Sequence, residues 1–181
     1  GKVEEVKDFK KSISKSISGL IASLSTGYII NCYTKNNTFT IKEGTYYTGS
    51  IIGSLDSGYI LNCFAYRTVL SGSKNAERSG SIAGATTGRV APTIENCYIY
   101  HTQNSSNWAA AVGYPNKITL KNFFHNRGNA FYESTSNNAQ TYNGTSFCTD
   151  DGTPIVNPLN DWIKNGRGKN NYSQFTFNEW D

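Results

Sequence analysis

The sequence predicts an all-β chain: a short parallel β-helix or solenoid of about four coils, with an N-terminal helical cap and a C-terminal helix-plus-strand cap. Three observations predict it. Gly19–Tyr33 (GLIASLSTGYIINCY), Ser50–Phe64 (SIIGSLDSGYILNCF) and Ser81–Tyr98 (SIAGATTGRVAPTIENCY) repeat one pattern, and Ala110–Phe124 (AAVGYPNKITLKNFF) is a worn fourth copy. The asparagines that close the copies, Asn31, Asn62, Asn96 and Asn122, recur at intervals of 31, 34 and 26 residues. Such a period belongs to units that bury an apolar face only against their neighbours. Aromatic residues make up 13% and charged residues only 17% of the 181 positions, and Gly, Ser, Thr and Asn dominate the rest, which suits strands and turns better than a helical bundle.

The N-terminal cap is assigned to residues 1–17. Val3, Val6, Phe9, Ile13 and Ile17 recur at helical spacing in a Lys/Glu-rich segment, so Val3–Lys15 reads as an amphipathic helix over the first coil. The competing reading makes Ser12–Leu24 strand throughout.

Residues 18–125 are the repeats. Leu20, Ala22 and Leu24 alternate with Ile21 and Ser23, and Ile51, Gly53, Leu55, Ile82 and Gly84 take the equivalent places, as an inward stripe on one strand requires. The small members, Ala22, Gly53 and Gly84, mark a point where the opposite wall comes close.

On the next strand Ile29, Ile60, Ile94 and Leu120 form one apolar column, and Cys32, Cys63, Cys97 and Phe123 another, three positions on. One straight strand cannot turn both inward, so a bend lies between them. Asn31, Asn62, Asn96 and Asn122 are placed to make it, since Asn tolerates left-handed backbone and stacked amides hydrogen-bond from coil to coil. The expectation is an internal Asn ladder at a corner, with exposed turn asparagines as the alternative. Tyr33, Phe64, Tyr98 and Phe124 follow as an aromatic column that either fills the core, the favoured reading, or paves the outside. Phe39, Ile41, Val69 and Leu70 supply a third, less regular wall.

Residues 126–181 are read as loop and C-terminal cap. Asn126–Thr153 is loop or hairpin, with Asp150-Asp151-Gly152 as a turn. Asn157-Pro158 offers an N-cap and a first-turn proline, Leu159, Trp162 and Ile163 an apolar helical face, and Gly166 a stop. Tyr172, Phe175, Phe177 and Trp180 are expected as a strand packed on this cap.

Chemistry is sparse. Three cysteines at one place in successive copies fit stacked free thiols better than a disulfide, Cys148 stands alone, and there is no CxxC for zinc; neither a metal nor a cofactor is expected. His101 and His125 read as solvent-facing loop residues, and no nucleophile-elbow sequence accompanies them. The acids of the repeats, Glu43, Asp56, Glu77 and Glu95, scatter over different phases, so no carboxylate pair or calcium cradle of a polysaccharide hydrolase or lyase emerges. A net charge of +4 without basic runs gives nucleic-acid binding no support. No stretch is apolar enough to span a bilayer.

The pattern of Ser18–Tyr33, Gly49–Phe64 and Gly80–Tyr98, with Ala109–Phe124 a poorer match, resembles the GLUG-motif repeats of surface and secreted proteins of gut bacteria, including Bacteroides relatives. The resemblance covers about 100 residues and carries no catalytic residues. It implies a parallel β-solenoid, an exported extracellular or cell-surface location and a role in adhesion. The chain, without an initiator Met, then reads as one domain cut from a longer precursor, whose missing N-terminus could carry a lipid anchor. Function is expected to be non-catalytic binding of glycan or a host protein through outward aromatics, with Tyr46, Tyr47, Tyr66, Tyr100 and Trp108 as candidates. A carbohydrate-active β-helix enzyme and a structural spacer are the rival readings.

Overall fold

The computed structural model describes residues 16–19, 21–24, 26–41, 45–72, 79–101, 111–126 and 139–181. The expected helix Val3–Lys15 and the candidate Trp108 lie outside them, as do Glu43 and Glu77.

Strand dominates. The first copy and its trailing stretch contribute β1 (Ser16–Ser18), β2 (Ile21–Leu24), β3 (Tyr28–Ile30), β4 (Tyr33–Lys35) and β5 (Thr38–Ile41). The second contributes β6 (Thr45–Gly49), β7 (Ile52–Leu55), β8 (Tyr59–Leu61), β9 (Phe64–Tyr66) and β10 (Val69–Gly72). Then come β11 (Ser79–Gly80), β12 (Ala83–Thr86), the long β13 (Thr93–Tyr100), β14 (Val112–Pro115), β15 (Thr119–His125) and β16 (Ala139–Thr141).

Apart from β15 and β16, consecutive strands do not pair. Each strand lies parallel to its counterpart in the neighbouring copy, giving sheets in the orders β1-β6-β11, β10-β5, β14-β12-β7-β2 and β16-β15-β13-β8-β3, with β4 and β9 alongside β13. The register follows the sequence columns. Ile29 faces Ile60, which faces Ile94 and then Leu120, and Tyr33 faces Phe64, Tyr98 and Phe124 in turn. Any one-residue slip would carry each apolar column to the other face, so burial fixes this register.

One core cluster holds Ile29, Ile60, Ile94 and Leu120 together with Cys63, Cys97 and Phe123, closed from the opposite wall by Ile51, Ile52, Leu55, Ile82, Ala83 and Val112. The bend between the two columns is made at the asparagines. Asn31, Asn62, Asn96 and Asn122 have φ of 54°, 56°, 56° and 44°, a left-handed conformation that Asn adopts more cheaply than other side-chain-bearing residues.

The alternating stripe expected for β7 and β12 is not what forms: all four residues of each strand are buried. The reason is the glycine column. A Cβ at Gly84 would lie 2.6 Å from Gly53 O and 2.8 Å from Tyr47 C, so the backbone of β6 packs directly on this sheet and covers its second face.

The C-terminal segment contains α1 (Val156–Lys164) and the short α2 (Arg167–Asn171). Asn157 does not cap α1. The capping position is Ile155, without a side-chain bond, and Asn157 already sits inside the first turn. Leu159 and Trp162 are the buried face, as their spacing requires. Residues 172–181 are not a strand. Their backbone bonds to side-chain amides of the sheet instead, as described below. Within the stretch read as loop, β16 extends the large sheet, and the Asp151 carboxylate accepts bonds from Thr149 and Thr153 in the turn, which hold it below the usual carboxylate range. No helix among the described residues is long and apolar enough to cross a membrane.

Candidate functional site

The four asparagines form a continuous amide chain. Asn62 Nδ2 donates to Asn31 Oδ1 at 2.7 Å, Asn96 Nδ2 to Asn62 Oδ1 at 2.7 Å, and Asn122 Nδ2 to Asn96 Oδ1 at 2.6 Å. Asn62 and Asn96 are buried, beneath the C-terminal segment and outside the main core cluster. The spare N–H groups of the amide chain donate to the C-terminal segment: Asn31 to Thr176 O at 2.9 Å, Asn62 to Asn178 O at 2.9 Å and Asn122 to Pro158 O at 3.1 Å. The same column therefore links copy to copy and fastens the tail over the sheet.

Cys32, Cys63 and Cys97 stand on the core side of that bend, and they and Cys148 are free thiols. Cys63 Sγ donates to Leu61 O at 3.2 Å and accepts Cys32 N–H at 3.3 Å, while Cys97 Sγ donates to Glu95 O and accepts Cys63 N–H, each at 3.3 Å. Burial pushes the Cys63 thiol up, and the bond with Cys63 does the same for Cys32, so neither offers a thiolate for chemistry. Among the described residues no group of three or more His, Cys, Asp or Glu could hold a metal ion.

Glu95, one of the scattered acids of the repeats, is fully buried under the tail. Its carboxylate accepts Trp162 Nε1 at 2.8 Å, Arg167 Nε at 2.5 Å and Tyr172 O–H at 3.1 Å. A buried carboxylate so engaged is an anchor, and it is not exposed to take part in hydrolysis.

The histidines also depart from expectation. Both are 5% exposed. His125 faces Ile99 in the register, and Ile99 faces Ala65, so this ring extends a core column. His101 Nε2 lies 2.7 Å from Ser81 Oγ. That pairing has the atoms of a Ser–His dyad, yet Ser81 is completely buried and its own carbonyl accepts the Ser50 hydroxyl. A hydroxyl sealed in this way has no approach for a polymeric substrate.

The outer face of β4 and β9 carries a more usable arrangement. Tyr33 and Phe64 stack at 4.8 Å and 3°, and Phe64 and Tyr98 at 5.1 Å and 6°. Two residues along, on the same face, Tyr66 stacks on Tyr100 at 4.8 Å. The aromatic column is thus graded, not simply core: Phe124 is fully buried, Trp180 stands edge-on over Phe64 and Tyr98, and Tyr33 is 57% exposed. Lys35 and Arg67, both exposed, flank the second column, with Lys35 Nζ 5.8 Å and Arg67 Cζ 5.3 Å from the centre of the Tyr66 ring.

Of the five candidates, the structure brings Tyr66 and Tyr100 together. Tyr47 belongs to another sheet, where its ring lies 6.2 Å from that of Tyr114. Tyr46 is in β6 but its side chain is not among those described, and Trp108 is outside the described residues. The period of the aromatic column predicts burial for Tyr33, and no sequence motif marks Lys35 or Arg67. Their signal was position: both basic residues sit at a second bend, where Asn36 and Arg67 have φ of 55° and 49°. Comparison with protein-family models, with curated proteins and with solved structures finds no match to this chain.

Proposed function

We propose that this chain is a short parallel β-solenoid module of an exported bacterial surface protein of the GLUG-motif kind, and that it binds glycan in an adhesin-like manner. The solenoid reading draws support from parallel pairing of non-consecutive strands in sequence-matched register. The binding reading rests on one observation: a flat, in-register aromatic stack that emerges from the core and ends at exposed Tyr33, beside a second stack through Tyr66. Tyr33, the end ring of its stack, has one flat face not taken by Phe64, which offers the apolar side of a pyranose a matching surface. Strand geometry sets the two columns ~6.6 Å apart, about a sugar unit, for a chain lying along the strand.

A glycan array probed with the intact chain and with Tyr33→Ala/Tyr66→Ala tests this. Binding by the parent protein and its loss in the double variant are expected. An array blank for both proteins, or binding that the double variant retains, would remove the glycan reading and leave a spacer as the better account.

A further inference from the structure

We infer that the glycan taken by the β4–β9 face is acidic, carrying carboxylate or sulfate groups; the inference rests on the glycan reading above. Among the described residues neither Lys35 nor Arg67 pairs with a carboxylate. Both uncommitted cations lie over one ring, Tyr66, on the aromatic face itself. Each comes from a different rung, because Lys35 and Tyr66 are register partners and Arg67 follows Tyr66.

A guanidinium held against a ring keeps its in-plane donors free for a bidentate carboxylate or sulfate, and an ammonium adds a point charge beside it. Two cations therefore lie beside the site where a sugar would stack on Tyr33, Lys35 being two residues along the same face of β4. A neutral saccharide would leave both charges unused. The same chemistry also fits stacked bases, but two cations on one short face do not track a phosphate backbone, and the net charge of +4 adds little field to steer one.

Titration calorimetry on the intact chain decides it, with four probes of matched length: an oligogalacturonate, a sulfated oligosaccharide, a neutral cello-oligosaccharide and single-stranded oligothymidylate. The inference expects one or both acidic saccharides to bind at least about tenfold more tightly than the neutral one, with affinity falling as salt is raised. Which acidic probe binds separates uronate from sulfate. In Lys35→Gln/Arg67→Gln, both positions being exposed, the acidic preference should vanish while the melting temperature is unchanged. Equal or tighter binding of the neutral probe, insensitive to that double variant, overturns the acidic inference and leaves the glycan reading standing. Tightest binding of the oligonucleotide overturns it in favour of nucleic acid. No heat with any saccharide overturns the glycan reading and the inference with it.

Discussion

Glu95 in the middle of the large sheet and Arg167 at the start of α2 meet at 2.5 Å, and this pair fixes the path of the C-terminal segment. Trp162 and Tyr172 add donors to the same carboxylate, so three residues of the tail converge on one buried group. Arg167 is partly exposed, which lowers the value of the pair below that of a fully buried one. Glu95→Gln is therefore predicted to destabilise the fold by about 2–3 kcal/mol, since it removes the charge and one acceptor beneath Trp162. Urea unfolding followed by tryptophan fluorescence checks this. An unchanged midpoint would mean that the aromatic contacts and the asparagine bonds hold the tail without this carboxylate.

Alkaline pH is predicted to loosen the same region. Burial, reinforced by the charge of Glu95, pushes the Tyr172 phenol up to about 12, and burial pushes Tyr98 up to about 12 as well. Both groups are neutral when protonated, and the folded state holds the proton more tightly than the unfolded one. Their contribution to stability is whole below the ordinary value of 10 and is lost as pH rises through 10 to about 12. Tyrosinate absorbance and far-ultraviolet circular dichroism should change together in that window. Full ionisation near 10 with the fold intact would contradict the burial of these rings.

The amide column should separate backbone from side-chain contributions. Asn96→Gly keeps φ near 56° at no steric cost but loses the bonds to Asn62 and Asn122, a predicted loss of about 2 kcal/mol. Asn96→Ala adds the left-handed penalty, for about 3 kcal/mol in all. Thermal or urea melts should rank parent, Gly, Ala. Ala above Gly would show that the bend at this position is not held in the left-handed region.

What could be read from the sequence and what could not have different physical origins. The Ile and Cys columns, the Asn bend and the buried face of α1 follow from local period and local backbone preference, and both are written in neighbouring residues. The Glu95–Arg167 pair joins positions 72 residues apart, and its existence depends on where the tail runs. Phe175 and Phe177 alternate like a strand, yet Thr176 O and Asn178 O accept from asparagine side chains, so the segment is extended over a sheet without joining one. His101 reads as a loop residue because its partner Ser81, between β11 and β12, lies 20 residues away in the sequence. Tyr33 reads like the buried members of its column because period alone gives the direction of a side chain and not what covers it.

The central claim is the location of the binding face, and amide and side-chain chemical shifts during titration of the labelled protein with a bound oligosaccharide test it most directly. The account predicts shifts concentrated at Tyr33, Lys35, Phe64, Tyr66 and Arg67, with the Trp180 indole at the margin and Tyr47 and Tyr114 unmoved. Shifts centred on Tyr47 and Tyr114, with the β4–β9 face silent, would contradict it.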